Sequence, residues 1–217
     1  MGIALGGPGC VVGCGDGMDV SYLKSTLQEV VVGVDVSLFD NYPDDALILQ
    51  GDGLCLPLPE RSLGFVFLHH VLEHVADPGL CLREVHRVLA PGGLLYLGTP
   101  NKKRLLGYLG SRTASWPQKV WWNLKDYRDR LLGRFRNESG AHAGFTRQEL
   151  AKLISRYFEA SDVTELTQDY QVFKYGHRLP GLIMSLVVHT RLVDRLAPAH
   201  YLLCRKQRSS ELQIHQC

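Results

Sequence analysis

Apolar residues come in short runs along the first hundred positions, and each run ends in glycine or a polar side chain. Residues 10–12, 30–35, 46–49, 65–68 and 94–97 are nearly continuous runs of valine, isoleucine, leucine and phenylalanine. Continuous rather than alternating runs predict strands buried on both faces. Between them the spacing changes to that of helices. A helix is predicted at about 19–27, and another at 80–89, where residues 80, 82, 85, 88 and 89 are apolar and Pro91, Gly92 and Gly93 form a stop. Residues 71–75 predict a short helical turn. A further helix is predicted at about 147–157, with Thr146 as N-cap and Glu149 as its partner in a capping box. Residues 160–166 and 200–204 predict two closing strands.

Apolar strands alternating with helices predict an α/β fold with a mostly parallel, seven-stranded sheet flanked by helices. Ligands of such sheets bind beyond the carboxyl ends of the strands. The polar residues gather there: Gly13 to Gly17 after the first strand, Asp35 after the second, Asp52 after the third, His69 to His74 after the fourth and Asn101 after the fifth. In the first of these loops glycines stand at 13, 15 and 17. Glycine permits positive φ and leaves room for a ligand, and the following helix directs unpaired N–H groups at the turn. The spacing is G-x-G-x-G, which differs from the G-x-G-x-x-G pyrophosphate fingerprint.

The 217 residues suit one domain with an insertion. Cysteines at 10, 14, 55, 81, 204 and 217 show no paired C-x-x-C spacing and lie mostly in apolar runs, so zinc and disulfide frameworks are disfavoured and a reducing, cytoplasmic setting is expected. The glycine-rich start lacks the basic region of a signal peptide, and the apolar run 181–189 is too short to span a bilayer. The net charge of +2 identifies no partner, but its distribution is uneven. Residues 102–136 hold ten basic side chains against two acids, Asp126 and Asp129, and all three tryptophans, 116, 121 and 122. This segment, extended to about 140, is expected to be an insertion. Its readings are a lid over an acidic or apolar acceptor, a contact with an anionic membrane, a nucleic-acid contact, or a solvated basic helix with its tryptophans in the core.

The runs Val12-Gly13-Cys14-Gly15-Asp16-Gly17, Gly33-Val34-Asp35, Gly51-Asp52-Gly53-Leu54, His70-Val71-Leu72-Glu73-His74-Val75, Arg83-Glu84-Val85 and Leu89-Ala90-Pro91-Gly92-Gly93 follow one another in a fixed order. In order and spacing the chain resembles the class I S-adenosylmethionine-dependent methyltransferases, in particular the small-molecule group that includes the ubiquinone and menaquinone methyltransferases. The resemblance covers about 9–101, with a weaker match from His142 onward. It implies a Rossmann-like methyltransferase fold, S-adenosylmethionine as cofactor and a small-molecule acceptor. It implies that Gly13, Cys14, Gly15 and Gly17 receive the methionine end of the donor, that Asp35 holds the ribose, and that Val36 is among the cofactor-binding residues. Asp52, Gly53 and Leu54 would meet the adenine, and His69 the methyl region. The planar-amino methyltransferase motif Asn/Asp-Pro-Pro-Tyr is absent after strand four, which disfavours nucleic acid.

His70 is the first candidate for a general base, because an imidazole takes a proton near neutral pH, and His142 is the second. Each has a structural alternative, such as a polar cap on the next turn. On a helix His70, Glu73 and His74 would share a face and could hold a metal, but many relatives keep Glu-His without one, and no metal is expected. Val11 and Gly64 stand where the resembling family usually has acids. They leave open a pocket completed by a partner, or a weak or inactive relative that serves as a binding module.

Overall fold

The computed structural model describes residues 6–108, 114–137, 143–159, 161, 163–166 and 197–207. Its elements are β1 (Gly9–Val12), α1 (Met18–Leu27), β2 (Val31–Asp35), β3 (Leu47–Gln50), β4 (Leu63–His69), α2 (Pro78–Val88), β5 (Leu89–Pro100), α3 (Trp116–Leu131), α4 (Arg147–Ile154), β6 (Val163–Glu165) and β7 (Ala199–Arg205). The strands form one seven-stranded sheet in the order β3-β2-β1-β4-β5-β7-β6. Strands β1 to β5 pair in parallel, and β7 runs antiparallel between β5 and β6. The order reverses direction at β1, so the loops after β1 and β4 lie side by side where a cleft is expected.

The apolar runs form the strands because each has a face to bury. Val66, Leu68, Leu95 and Leu97 meet Leu82, Val85 and Val88 of α2 and Leu150 and Ile154 of α4 in the main core. A smaller core on α1 joins Val11, Cys14, Val20 and Val31. Asp77 caps α2 by accepting from the Leu80 amide at 3.0 Å. The capping box of α4 is present, with Thr146 Oγ1 accepting from the Glu149 amide at 3.2 Å and Glu149 accepting from the Thr146 amide at 2.8 Å.

Four expectations are corrected. Pro91, Gly92 and Gly93 do not stop a helix; α2 ends at Val88, Leu89 is already extended, and the three residues lie within β5, where the register with β4 shifts. Residues 71–75 form no helix but a single turn, closed by the His74 amide donating to the Val71 carbonyl at 2.8 Å. Strand β3 is not covered on both faces: the preceding connection, 36–46, carries no helix, and Leu47 and Leu49 are exposed. The tryptophans of the insertion are not in the core. Trp116 and Trp121 are exposed, and Trp122 rests on the Tyr108 ring at 5.0 Å.

The insertion hangs from the carboxyl end of β5. Asn101 there bridges to Phe145, and its carboxamide donates to the Ala197 carbonyl at 3.0 Å. Buried Arg104 ties the insertion to this edge by donating to the carbonyl of Ala143 at 3.2 Å and to the Asp126 carboxylate of α3 at 2.8 Å. Among the described residues no helix is long and apolar enough to cross a membrane. The run 181–189 lies outside the described residues.

Candidate functional site

Four of the five loops meet around a cleft of about 420 Å³ beyond the carboxyl ends of β1, β2, β3 and β4, and the Asn101 loop after β5 does not line it. Gly13, Asp35, Val36, Asp52, Gly53, Leu54 and His70 line it, together with Val71, His74, Val75 and Ala76. Seven of the residues read from the sequence therefore share one cavity.

Asp35 organises the glycine turn. Its Oδ2 accepts from the Gly15 amide at 2.9 Å, and its Oδ1 accepts from the Ser37 amide at 3.1 Å. A carboxylate has about four lone-pair sites, so each oxygen keeps room for a second donor, as a vicinal diol would supply. Gly15 has φ +51°, and a Cβ there would meet nothing within 4 Å. The turn is thus left-handed at a point with open space beside it, where backbone N–H groups can approach a ligand. Gly13 has φ +70° for a different reason. A Cβ there would lie 2.3 Å from Val71 Cγ2, so it is the close approach of the loops after β1 and β4 that excludes a side chain.

Asp52 opens a tight turn. Its Oδ1 accepts from the Leu54 amide at 2.9 Å, and its carbonyl accepts from the Cys55 amide at 2.9 Å. Helix α2 holds the next residues in place. Glu84 accepts from the Leu56 amide at 3.0 Å, and Arg87 donates to the Leu56 and Leu58 carbonyls, each at 3.0 Å. The Arg87 hydrogen bond holds the Glu84 carboxyl below its ordinary range. Exposed Val36 and half-buried Leu54 give this end apolar walls.

At the β4 end a dyad lies ready. The His70 Nδ1 is 3.1 Å from Glu73 Oε1, and Thr99 at the end of β5 donates to Glu73 Oε2 at 3.1 Å. Glu73 is buried, which raises its pKa, but hydrogen bonds from His70 and from the backbone outweigh this and leave it lowered. An ionised carboxylate only accepts, which puts the proton of neutral His70 on Nδ1 and leaves Nε2 as the basic nitrogen. His74 Nε2 is 4.0 Å from the same Glu73 oxygen. Among the described residues no three His, Cys, Asp or Glu side chains are grouped to hold a metal.

Three of the sequence candidates are used elsewhere. Cys14 is buried in the α1 core, and burial pushes its thiol up to about 11. Gly17 is the N-cap of α1 at φ +77°, where a Cβ would meet Tyr42 and Pro43. His69 lies in an aromatic stack with its ring centroid 5.6 Å from Phe67, 6.1 Å from Tyr96 and 6.1 Å from Tyr201. His142 lies outside the described residues. Sequence reasoning missed Thr99, which reaches Glu73 only through the pairing of β4 with β5. It also missed Glu84 and Arg87, whose i, i+3 spacing on α2 was the available signal.

Burial lowers His69 to about 4, with the nearby His70 adding to the effect and Glu73 opposing it. A neutral buried imidazole takes no proton until well below the value of the unfolded chain, so its contribution to stability is full above about pH 6.5 and falls as pH drops toward 4. The variant His69→Phe, which keeps a ring in the stack, is expected to flatten the loss of melting temperature between pH 6.5 and 4. Parallel melting curves for the two proteins over that range check it, and identical slopes would show that His69 does not carry the effect.

Residues 10–97 match the family model described as methyltransferase domain. A malonyl-[acyl-carrier protein] O-methyltransferase of Coxiella burnetii is 34% identical over 95 residues, which are 42% of this chain and 34% of the relative. A Mycolicibacterium smegmatis protein named as a probable S-adenosylmethionine-dependent methyltransferase is 32% identical over 96 residues, 42% of this chain and 37% of the relative. The chain thus spans about a third of the length of these curated relatives. A solved S-adenosylmethionine-dependent methyltransferase from Mesorhizobium loti superposes with a TM-score of 0.56 at 18% identity, over 94% of this chain and 93% of that one, which establishes the likeness of fold.

Proposed function

We propose, from the premise that this chain belongs to the class I S-adenosylmethionine-dependent methyltransferases, that it transfers a methyl group to a small-molecule acceptor at the cleft formed by Gly13, Asp35, Asp52 and His70. The observation that carries this reading is the pairing of an open glycine turn with a carboxylate that is tied to it and still has acceptor sites to offer. That cradle fits the donor. Asp35 would accept the ribose hydroxyls, Asp52 the adenine amino group, and the N–H groups around Gly15 would face the methionine end. Val36 and Leu54 would flank the adenine. When bound, S-adenosylmethionine supplies a methyl group activated by positive sulfur.

The chain's own task is then to hold an acceptor in line, exclude water and take up a proton. In this reading Nε2 of His70 receives the proton that an acceptor hydroxyl loses, while Glu73 fixes the ring through Nδ1. Glu73 is a positioning residue, and Thr99 fixes it in turn. The variant Glu73→Gln keeps the shape and the Thr99 contact but loses the acceptor charge. It is expected to lower kcat by about tenfold, less than the loss of a general base itself because His70 remains, with donor KM unchanged. Steady-state kinetics with labelled donor and a panel of amphipathic and acidic hydroxyl compounds checks it. A rise in donor KM with kcat intact would contradict the assignment.

Buried free thiols at Cys10, Cys14, Cys81 and Cys204 support a reducing compartment such as the cytoplasm. Gly64, one of the two departures from the resembling family, has a local cause: a Cβ there would lie 2.7 Å from the Gly7 amide nitrogen. Val11 is buried on the α1 side and offers the cleft no carboxylate. It supports the alternative, a binding module on the same fold, and turnover with any acceptor in the panel decides against that alternative.

A further inference from the structure

Helix α3 is inside out. Its inward side carries Trp122, Asn123, Asp126, Asp129 and Arg130, all buried or half-buried. Its outward side carries Trp116, Val120, Trp121, Leu124, Tyr127 and Leu131, all exposed, with Trp116 at 73%, Trp121 at 61% and Leu131 at 89%. Positions 116, 120, 124, 127 and 131 are three and four apart, so they form one stripe along the whole helix, and residue 121 widens it. A surface helix of a globular protein ordinarily presents the opposite arrangement.

The inward Asp126 and Asn123 are hydrogen-bonded. Asp126 accepts from Arg104 at 2.8 Å and from Tyr108 at 3.2 Å. The Asn123 carboxamide accepts from the Gly107 amide at 2.7 Å and donates to its carbonyl at 3.1 Å. Arg130 lies over the Phe135 ring at 4.5 Å. Those contacts fix the rotation of the helix and commit its apolar stripe to the outside.

Charge follows the same division. Both acids of residues 102–136, Asp126 and Asp129, are 8% exposed, and Asp129 faces Arg128 at 3.1 Å. Lys103, Lys125, Arg128, Arg134 and Arg136 are exposed. The outer surface of the insertion is therefore an apolar stripe with two indoles, bordered by cations and by no exposed carboxylate among the described residues.

We propose that the outward face of α3 is a docking surface for an anionic lipid bilayer, with the helix lying in the plane of the interface. An apolar stripe enters the headgroup boundary, indole rings favour that depth, and bordering lysine and arginine meet the anionic headgroups. A second copy of the chain is a poorer occupant, because pairing two such faces would bring their cations together. Docking does not depend on the methyltransferase reading. If that reading holds, docking also brings the carboxyl edge of the sheet, from which the insertion hangs, toward the lipid, and so suits an amphipathic acceptor.

The test is flotation of the full chain, without donor, on vesicles of phosphatidylcholine with phosphatidylserine and on phosphatidylcholine alone. A variant carrying Trp116→Ser, Trp121→Ser and Leu124→Ser is run beside it, and circular dichroism confirms that its fold is native. The expected result is recovery of the wild type with the anionic vesicles at low salt. Recovery should fall several-fold at high salt, where screening shortens electrostatic reach, and about tenfold or more in the variant. Equal recovery of wild type and variant, or no recovery of the wild type, would overturn the proposal. So would light scattering that shows a wild-type dimer split by the same substitutions. Donor titration of the variant is a separate readout: the stripe lies outside the cleft, so donor affinity should match the wild type whichever way the vesicles behave.

Discussion

Replacing Asp35 with alanine is expected to weaken S-adenosylmethionine binding by about 10- to 150-fold, the equivalent of about 1.5–3 kcal/mol for hydrogen bonds to a charged group. Two losses combine. The ribose hydroxyls lose their acceptor, and the Gly15 amide loses the carboxylate oxygen that holds it at 2.9 Å. The second loss loosens the turn that receives the other end of the donor, so the effect should reach the upper part of that range. Stability should change little, because the half-buried side chain contacts only loop amides at its own end of the sheet. Titration calorimetry of the variant checks this, and an affinity within twofold of the wild type would remove Asp35 from the site.

Two glycines of the same turn are expected to fail in different ways. Gly15→Val should abolish measurable donor binding and leave the fold native, because its side chain would project into open space beside the proposed donor site from a backbone at φ +51°. The left-handed strain costs about 1–2 kcal/mol, which in a chain of this size lowers the melting temperature by about 2–8 °C. Gly13→Val adds a collision, since its Cβ would lie 2.3 Å from Val71 Cγ2. Strain and overpacking together should cost about 2–5 kcal/mol, so this variant should unfold at distinctly lower temperature. Melting curves and donor titrations for both variants separate the roles. Normal donor binding by Gly15→Val would mean that the turn merely connects β1 to α1.

The parts of this molecule that could be read from its sequence are those governed by local patterning. Continuous apolar runs marked β1, β2, β4 and β5, and Thr146 with Glu149 marked the start of α4, because each signal is complete within a few residues. Asp35 was readable for a related reason: it ends a strand next to the glycine turn in a parallel sheet, and that order fixes where it points. What could not be read depends on partners distant in the chain. Thr99 fixes Glu73 across 26 positions. Glu84 steadies the loop after Asp52 from 28 positions away. Cys14 and Gly17 stand inside the motif, yet one is buried in the α1 core and the other caps the helix that follows. The insertion gives the sharpest contrast. A count of charges revealed an excess of cations, but not that Asp126 turns inward to Arg104 and Tyr108 while Trp116 and Trp121 stay outside.

The central claim is that the cleft at the carboxyl edge binds the methyl donor, and calorimetric titration of the full chain with S-adenosylmethionine tests it most directly. The account predicts one-to-one binding with a dissociation constant in the enzyme range of about 1 µM to 1 mM, displaced by S-adenosylhomocysteine and lost in Gly15→Val. No heat of binding from natively folded protein, or binding that Asp35→Ala and Gly15→Val leave unchanged, would contradict it.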